Sequence, residues 1–279
     1  MTTAIFATVA FLVLATSFMS GIFGMAGGMV LMGALLLMLP VASAMVLQSA
    51  MQLTSNGWRA ILWRGHTEWR IVGRFAIGAT LAFCAFLAVQ LVPSRGVVLL
   101  ILGISPFVAL FVPPRFAPQA EAKWGAEICG FVCQTLQFLS GVTGPILDIF
   151  FVRSTTMDRR KVVATKATCQ VLGHGSRLIY FGGIMNQQTV TLHWLQWAIL
   201  LGCAVGGTSL SRIVLERMSD QQFRKWTRGI VLGVASVYLV QGIASFFEHP
   251  LAGYRGCLTR GHRPTLTGNL PSGQPPAWI

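Results

Sequence analysis

Residues 48–59 read QSAMQLTSNGWR, and residues 166–177 read KATCQVLGHGSR. Each stretch carries longer polar side chains at the same spacing of four, four and three residues. On an α-helix such a set lies within an arc of roughly 80°. Because the segments around it are apolar, this face is predicted to face a bundle interior or a water-filled path rather than lipid. The first stripe is Gln48, Gln52, Asn56 and Arg59, and the second stripe is Lys166, Gln170, His174 and Arg177.

Composition places the chain among membrane proteins. Hydrophobic residues make up 54% of it and charged residues 10%, and the mean hydropathy is +0.65. A soluble domain carries about 25% charged residues. The sequence therefore predicts an all-α, multi-pass membrane protein. Its apolar segments fall at roughly 4–20, 25–39, 43–63, 71–92, 96–112, 125–139, 162–181, 193–211 and 228–247, with a short one at 146–152.

The net charge of +13 does not indicate nucleic-acid binding. The basic residues cluster in short segments between apolar spans, where they set membrane topology. The six cysteines have no metal-binding or disulfide spacing, and five of them lie in apolar stretches, where buried packing is expected. Neither a metal nor a cofactor is predicted.

Two glycine-rich breaks interrupt the apolar pattern about 120 residues apart. Residues 20–28 read SGIFGMAGG, and residues 140–145 read SGVTGP. Glycine lets the backbone leave a helix and approach a ligand, and the restarting helix presents free N–H groups that favour anions. The alternative is that the glycines only permit close helix packing. The candidate substrate-binding residues here are Ser20, Gly21, Gly24, Gly27 and Gly28 in the first break and Gly141, Thr143 and Gly144 in the second.

The charge pattern favours a helical hairpin at each break. With hairpins, the basic segments 64–74, 113–124, 153–161 and 212–228 all lie on one side of the membrane. Each half then has a hairpin plus about three crossings, so the second half is inverted relative to the first, an arrangement found in secondary transporters. Both termini are predicted to lie outside. The predicted parts are a repeat at 1–112, a connecting loop at 113–124, a second repeat at 125–247 and a disordered tail at 248–279.

The polar residues within the apolar segments are candidates for chemistry. Gln48, Gln52 and Gln170 are neutral hydrogen-bonding groups that suit a substrate path or, equally, helix–helix contacts. Lys166 and Arg177 are possible anion ligands, with interfacial snorkelling as the alternative, and Thr165 beside Lys166 is a further candidate ligand.

Two titratable groups are candidates for proton coupling. Asp148 follows the second break by one turn, and an intramembrane carboxylate is a functional hypothesis by default. The alternative is a structural ion pair with Lys166 or Arg177. His174 titrates in the physiological range.

At these residues the chain resembles the TauE/SafE family of sulfite and organosulfur exporters, over about residues 4–247. The first break resembles the family's glycine-rich motif, and the stretch from Gly202 through Gly206-Gly207 to Arg212, with Trp226 and Arg228-Gly229, resembles its closing pattern. The second break has Gly141-Val142-Thr143-Gly144-Pro145 where the family has three glycines, and so resembles a branch with Thr-Gly-Pro, Leu-Asp and Ala-Thr-Lys-Ala signatures. The resemblance implies anion export across the bacterial inner membrane.

The leading hypothesis is a secondary transporter of small anions, of the sulfite or sulfonate type, coupled to protons. A passive anion channel is the first alternative. An intramembrane lipid-modifying enzyme is a weaker one, because the sequence carries no zinc-protease motif, no paired carboxylates and no Ser/His/Asp set. The expected partners are the anion, protons and the lipid bilayer, and the oligomeric state is left open.

Overall fold

A computed structural model describes residues 3–23, 25–113, 118–151, 157–184, 192–215 and 220–258. This part of the chain is helical and contains no strand. Short turns join the helices, including a 3₁₀ turn at Arg64–His66 and a π-helical turn at Tyr180–Ile184. The helices are α1 (Thr3–Phe23), α2 (Met25–Met38), α3 (Val41–Leu62), α4 (Trp69–Val89), α5 (Arg95–Phe111), α6 (Gly125–Ser140), α7 (Gly144–Phe151), α8 (Arg159–Ile179), α9 (Trp194–Leu215) and α10 (Asp220–Leu258).

Local sequence signals account for several helix ends. Pro40 precedes α3, where its missing N–H has no cost. Ser94 accepts a hydrogen bond from the Val97 N–H at the start of α5, and Asp158 accepts one from the Lys161 N–H at the start of α8. The Asp158 cap sets the start of α8, which carries the second stripe.

The described helices expose many large apolar side chains and bury several polar ones beside an apolar core. Thr3–Phe23, Trp69–Val89 and Arg228–Ser245 are long and apolar enough to cross a bilayer, and Ala26–Met38 and Arg95–Phe111 are shorter apolar helices. Large apolar side chains such as Phe111 are exposed, whereas glutamine, histidine and arginine side chains are buried. Large exposed apolar side chains together with buried polar ones fit a protein surrounded by lipid.

The two stripe helices, α3 and α8, pack against each other in antiparallel orientation. Arg177 near the end of α8 bonds Ser49 near the start of α3, while Thr165 near the start of α8 bonds the backbone of Glu68 beyond the end of α3. Around this pair, α1 packs on α9, α4 on α6, and α5 on α10. The stripes are therefore brought face to face.

The second break turns the chain back on itself. The Ala120 N–H, just before α6, donates to the Phe150 carbonyl at the end of α7 at 3.0 Å. The chain that enters along α6 thus returns along α7 to the same end, as the hairpin prediction requires for this break. At the first break, Gly27 of α2 packs against the backbone of Thr16 and Ser20 of α1.

Two helix boundaries differ from the predicted ones. The first break was predicted to span residues 20–28, but α1 continues to Phe23 and α2 begins at Met25, since glycine is tolerated inside helices that pack closely. The last apolar segment was predicted to end at 247, whereas α10 extends to Leu258. Residues 259–279 of the predicted tail, and Gly24 of the first break, lie outside the described residues.

Candidate functional site

A small polar cavity lies where both stripes and both breaks meet. Its volume is about 20 Å³, enough for roughly one water molecule. The first break, the first stripe, the second break and the second stripe each contribute to its wall. The lining residues are Ser20, Gly28, Gln48, Gln52, Asn56, Gly141, Val142, Thr143, Gly144, Gln170 and His174.

Three of the four residues of the first stripe line this cavity, whereas Arg59 lies outside it and donates to the Ser20 carbonyl at 3.0 Å. Gln48, Gln52 and Asn56 are each at most 5% exposed. The Gln48 carboxamide donates to the carbonyl of Gly28 at 3.4 Å, which joins the stripe to the first break. Asn56 donates to the backbone and side-chain oxygens of Gln52, at 2.9 and 3.3 Å. The prediction that the polar face of α3 points inward is confirmed.

Arg177 is the central cation of the site. Its side chain is fully buried, so it does not snorkel to an interface. Its Nε donates to the hydroxyl of Ser49 at 2.6 Å, and its Nη2 donates to the carboxamide oxygen of Gln48. Its Nη1 has no hydrogen-bond partner within the described part of the chain. The guanidinium does not itself line the cavity but contacts two residues that do, Gln48 and Gly141.

The backbone of the second break makes room for Arg177. Gly141 has a φ of +80°, a conformation that side chains with a Cβ adopt only with strain. A Cβ added to Gly141 would also overlap Nη1 of Arg177. Ser140 stabilises the turn, because its hydroxyl donates to the Leu136 carbonyl at 2.9 Å and accepts from the Val142 N–H at 3.5 Å. Glycine is therefore required at position 141 for two independent reasons.

Two short helices direct their N-terminal ends toward the cavity. Gly144 is the first residue of α7 and Gly28 lies in the first turn of α2, and both line the cavity. Helix N-termini carry a partial positive charge and unsatisfied N–H groups. No lining residue is acidic. These N–H groups favour an anion as the occupant.

Two other glycines of the first break, Gly21 and Gly27, have a packing role. A Cβ on Gly21 would overlap the side chain of Ser211 on α9, and one on Gly27 would overlap the α1 backbone. Neither residue lines the cavity, unlike Gly28, where a Cβ would lie 3.0 Å from Nε2 of Gln52. At this break, Gly21 and Gly27 fit the packing interpretation, and Gly28 lines the cavity.

Lys166 and Asp148 form an ion pair outside the cavity. The pair joins α8 to α7, and the two side chains are 25% and 36% exposed in the isolated chain. The structural partner predicted as one alternative for Asp148 is thus present. Thr165 also lies outside the cavity, where its hydroxyl accepts the Glu68 N–H at 3.0 Å. A second ion pair, Lys161 with Glu68 at 2.6 Å, lies beyond the apolar segment and raises the pKa of Lys161.

His174 lines the cavity and contacts a residue that sequence reasoning missed. Its Nδ1 lies 2.7 Å from Nε2 of Gln137 on α6. Gln137 and Gln134 are both 1% exposed. Both polar atoms of Gln134 and the Oε1 of Gln137 lack a partner among the described residues. The sequence contains a signal for this polar pair, because two glutamines three residues apart interrupt the apolar segment 125–139.

Three cysteines pack together near this site. Cys129, Cys133 and Cys169 are buried, and the sulfurs of Cys129 and Cys133 are 3.9 Å apart. Within the described ranges, no group of three or more histidine, cysteine or acidic side chains is placed to hold a metal ion.

The comparisons with known proteins identify the family. The family model described as Sulfite exporter TauE/SafE matches residues 9–239. The matched region contains both stripes, both breaks and every residue that lines the cavity. Neither a curated protein nor a solved structure matches the chain. With most of its length matched, the chain belongs to the sulfite exporter TauE/SafE family, a family of membrane transporters.

Proposed function

We propose that this protein is a secondary transporter that exports small sulfur oxyanions or sulfonates across the bacterial inner membrane, coupled to protons. The observation that carries the proposal is the buried guanidinium of Arg177, which links the second stripe to α3 and lies against the second break. Membership of the TauE/SafE family supports the substrate class.

The charge of Arg177 favours an anion as the ligand. Burying a cation is costly unless a group of opposite charge lies close to it. No carboxylate pairs with Arg177 in the described part of the chain, and its Nη1 has no partner. A bound anion would supply both the charge and the acceptor. Planar guanidinium groups are well suited to oxyanions, because they donate two hydrogen bonds in a fixed geometry.

In this proposal the residues have distinct roles. Gly141, Thr143 and Gly144 bind the anion from the second break, and Ser20 and Gly28 from the first. Gln48, Gln52 and Gln170 complete the hydrogen bonding around Arg177. Lys166 and Thr165, on the same helix but outside the cavity, act on the approach of the anion. Asp148 and His174 carry the proton.

The pattern of helix contacts supports two inverted repeats. If α1–α5 correspond to α6–α10 in order, the α1–α9 contact becomes the α6–α4 contact, and both are present. The α3–α8 and α5–α10 contacts each become themselves, as expected for two units related by a two-fold axis. Such an axis would place the anion site at the centre of the repeats. In alternating access, each repeat would then adopt the conformation that the other repeat had before.

The cavity volume favours a transporter over a channel. A volume of about 20 Å³ admits roughly one water molecule, which is the size expected of a closed state rather than of a conducting pore. A transporter passes through such closed states in each cycle, whereas a conducting pore does not need them.

The test uses purified protein in proteoliposomes. Flux of sulfite, thiosulfate, sulfoacetate and unrelated anions is measured with and without an imposed pH gradient. We expect saturable flux of a sulfur oxyanion or sulfonate that increases with the gradient, and at least a tenfold rise in apparent KM for Arg177→Gln. The exposed Arg70→Gln serves as the matched control. Flux that stays linear with concentration and ignores the gradient would identify a channel, and absence of flux by folded protein would contradict the proposal.

A further inference from the structure

The packing of α3 against α8 brings a second arginine close to a lysine. The two helices run in opposite directions, and Arg177 of α8 lies against Gln48 of α3. Eleven residues further along α3 is Arg59, and eleven residues back along α8 is Lys166. Because both helices rise by the same distance per residue, this register brings Arg59 close to Lys166, and the charge of Arg59 acts on Lys166. The two stripes therefore place a pair of cations at the end away from Arg177.

Arg59 and Arg177 have corresponding contacts in the two halves of the chain. Each is the last residue of its stripe. Nη2 of Arg59 donates to the Ser20 carbonyl in the first break at 3.0 Å, and Arg177 contacts Gly141 in the second break. Ser20 also lines the cavity, so Arg59 bonds directly to a residue of the cavity wall. Arg59 is thus the counterpart of the cation on which the proposed anion site depends.

The cluster of Arg59, Lys166 and Asp148 carries more positive than negative charge. Asp148 pairs with Lys166. Within the described ranges, no other carboxylate forms an ion pair with Lys166, and none forms one with Arg59. Asp148 therefore neutralises one of the two cations and leaves the other without a counterion. The balance of charge favours an anion beside Arg59.

The two cations lie between the cavity and the basic end of the helix pair. Along α3, the cavity-lining Asn56 is followed by Arg59 and then by the basic segment 64–74. Along α8, Lys166 precedes the cavity-lining Gln170 by one turn. An anion that arrives from the basic segment therefore meets Arg59 and Lys166 before it meets the cavity.

The end with Arg59 is also the more accessible one in the isolated chain. Arg177 is fully buried, whereas Arg59 is half-buried. The side chains of Lys166 and Asp148 are 25% and 36% exposed. An anion can thus reach the Lys166–Asp148 pair while the site at Arg177 stays closed.

We propose that Arg59 and Lys166 form a second anion-binding site, at which the exported anion binds before it reaches the cavity. Asp148 is the counterion that this anion displaces from Lys166. The ligand is an oxyanion, because a guanidinium and an ammonium group together donate to several oxygen atoms. The inference rests on the proposed function for the identity of the anion, and adds the place where it first binds and its exchange with Asp148.

The exchange with Asp148 is tested without transport, by equilibrium binding of radiolabelled sulfite to the purified protein in detergent under nitrogen. Asp148→Asn removes the competing carboxylate and should bind sulfite about fivefold more tightly than the wild type, or better. Glu127→Gln removes the carboxylate of another ion pair, which joins α6 to Arg74 of α4, and should stay within about twofold of the wild type. A pair that only holds α7 to α8 would not bind the anion more tightly when it is broken.

The role of Arg59 is tested in the same assay. Arg59→Gln should weaken sulfite binding about fivefold or more, both in the wild type and in the Asp148→Asn background. Arg59→Lys, which keeps the charge, should recover part of the affinity. The exposed Arg70→Gln removes the same charge outside the helix pair and is the matched control.

The melting temperature gives a second, independent measurement. A ligand that binds more tightly stabilises the folded protein more, so sulfite should raise the melting temperature of Asp148→Asn further than that of the wild type. If the wild type binds sulfite, and neither Asp148→Asn nor Arg59→Gln changes its affinity, the second site is overturned while the proposed function stands. Absence of sulfite binding by the folded wild type and by every variant would contradict the proposed function and the second site together.

Discussion

Arg177 of the second stripe donates a hydrogen bond to Gln48 of the first stripe, 129 residues away in the chain. Through this bond and the one to Ser49, the guanidinium of α8 is held against α3. The same guanidinium contacts Gly141 in the second break. A single cation thus connects three of the four features that the sequence pattern singled out.

The contact between Arg177 and Gln48 predicts the effect of adding a negative charge. In Gln48→Glu, a carboxylate of nearly the same shape would pair with the guanidinium and neutralise the charge that the anion needs. We expect at least a tenfold rise in the apparent KM for sulfite and no loss of thermal stability, since a charged acceptor strengthens the bond. Gln90→Glu, in an exposed position after α4, is the control for an added carboxylate. An unchanged KM would remove Arg177 from the anion site.

At position 141, even one added methyl group is expected to be harmful. Gly141→Ala should lower the free energy of unfolding by at least about 1–2 kcal/mol, because alanine is strained at positive φ, and should reduce flux by displacing Arg177. The control is Gly175→Ala on α8, where an added Cβ meets no atom within 4 Å. That variant should be stabilised by roughly 0.5–1 kcal/mol, as alanine favours a helix. Equal melting temperatures for the two variants would contradict the prediction.

Variants of the Lys166–Asp148 ion pair are expected to affect the stability of the fold and the coupling of transport to protons differently. Asp148→Asn and Lys166→Met should each lower the melting temperature in detergent, because one charge loses its partner. The double variant should recover the melting temperature.

If Asp148 carries a proton, the double variant will still lack gradient-driven flux while keeping sulfite exchange. Recovery of both properties would assign the pair a structural role alone.

Each of the helices α4 and α6 has a glycine that packs against the backbone of the other helix, and substitution of either glycine is expected to disturb this packing. A Cβ on Gly78 would overlap the Glu127 carbonyl, and one on Gly130 would overlap the Phe75 carbonyl. Gly130→Ala should therefore destabilise the fold by about 1–3 kcal/mol through overpacking. Gly73→Ala on α4, where a Cβ meets nothing within 4 Å, should be tolerated. Melting temperatures in detergent test this, and an unaffected Gly130→Ala would show that the helices adjust their spacing.

The features that were predicted correctly depend on short stretches of the sequence. The polar face of α3 and the second break follow from helix periodicity and from glycine and proline at fixed positions. The glutamines of α6 do not recur in α1, where Leu14 and Ser17 stand at the positions that match Gln134 and Gln137 when the two breaks are aligned, so they are not part of the repeated pattern.

The sequence by itself determined which faces of the helices are polar and where the second break lies, because each depends on residues close together in the chain, and its pattern over the whole membrane region determined the family. Only the tertiary structure decided the partners. It paired Lys166 with Asp148 and held Arg177 between Gln48 and Gly141. The physical reason is that charge and hydrogen-bonding capacity restrict the possible partners of a buried polar group, while helix packing decides which of them comes within reach.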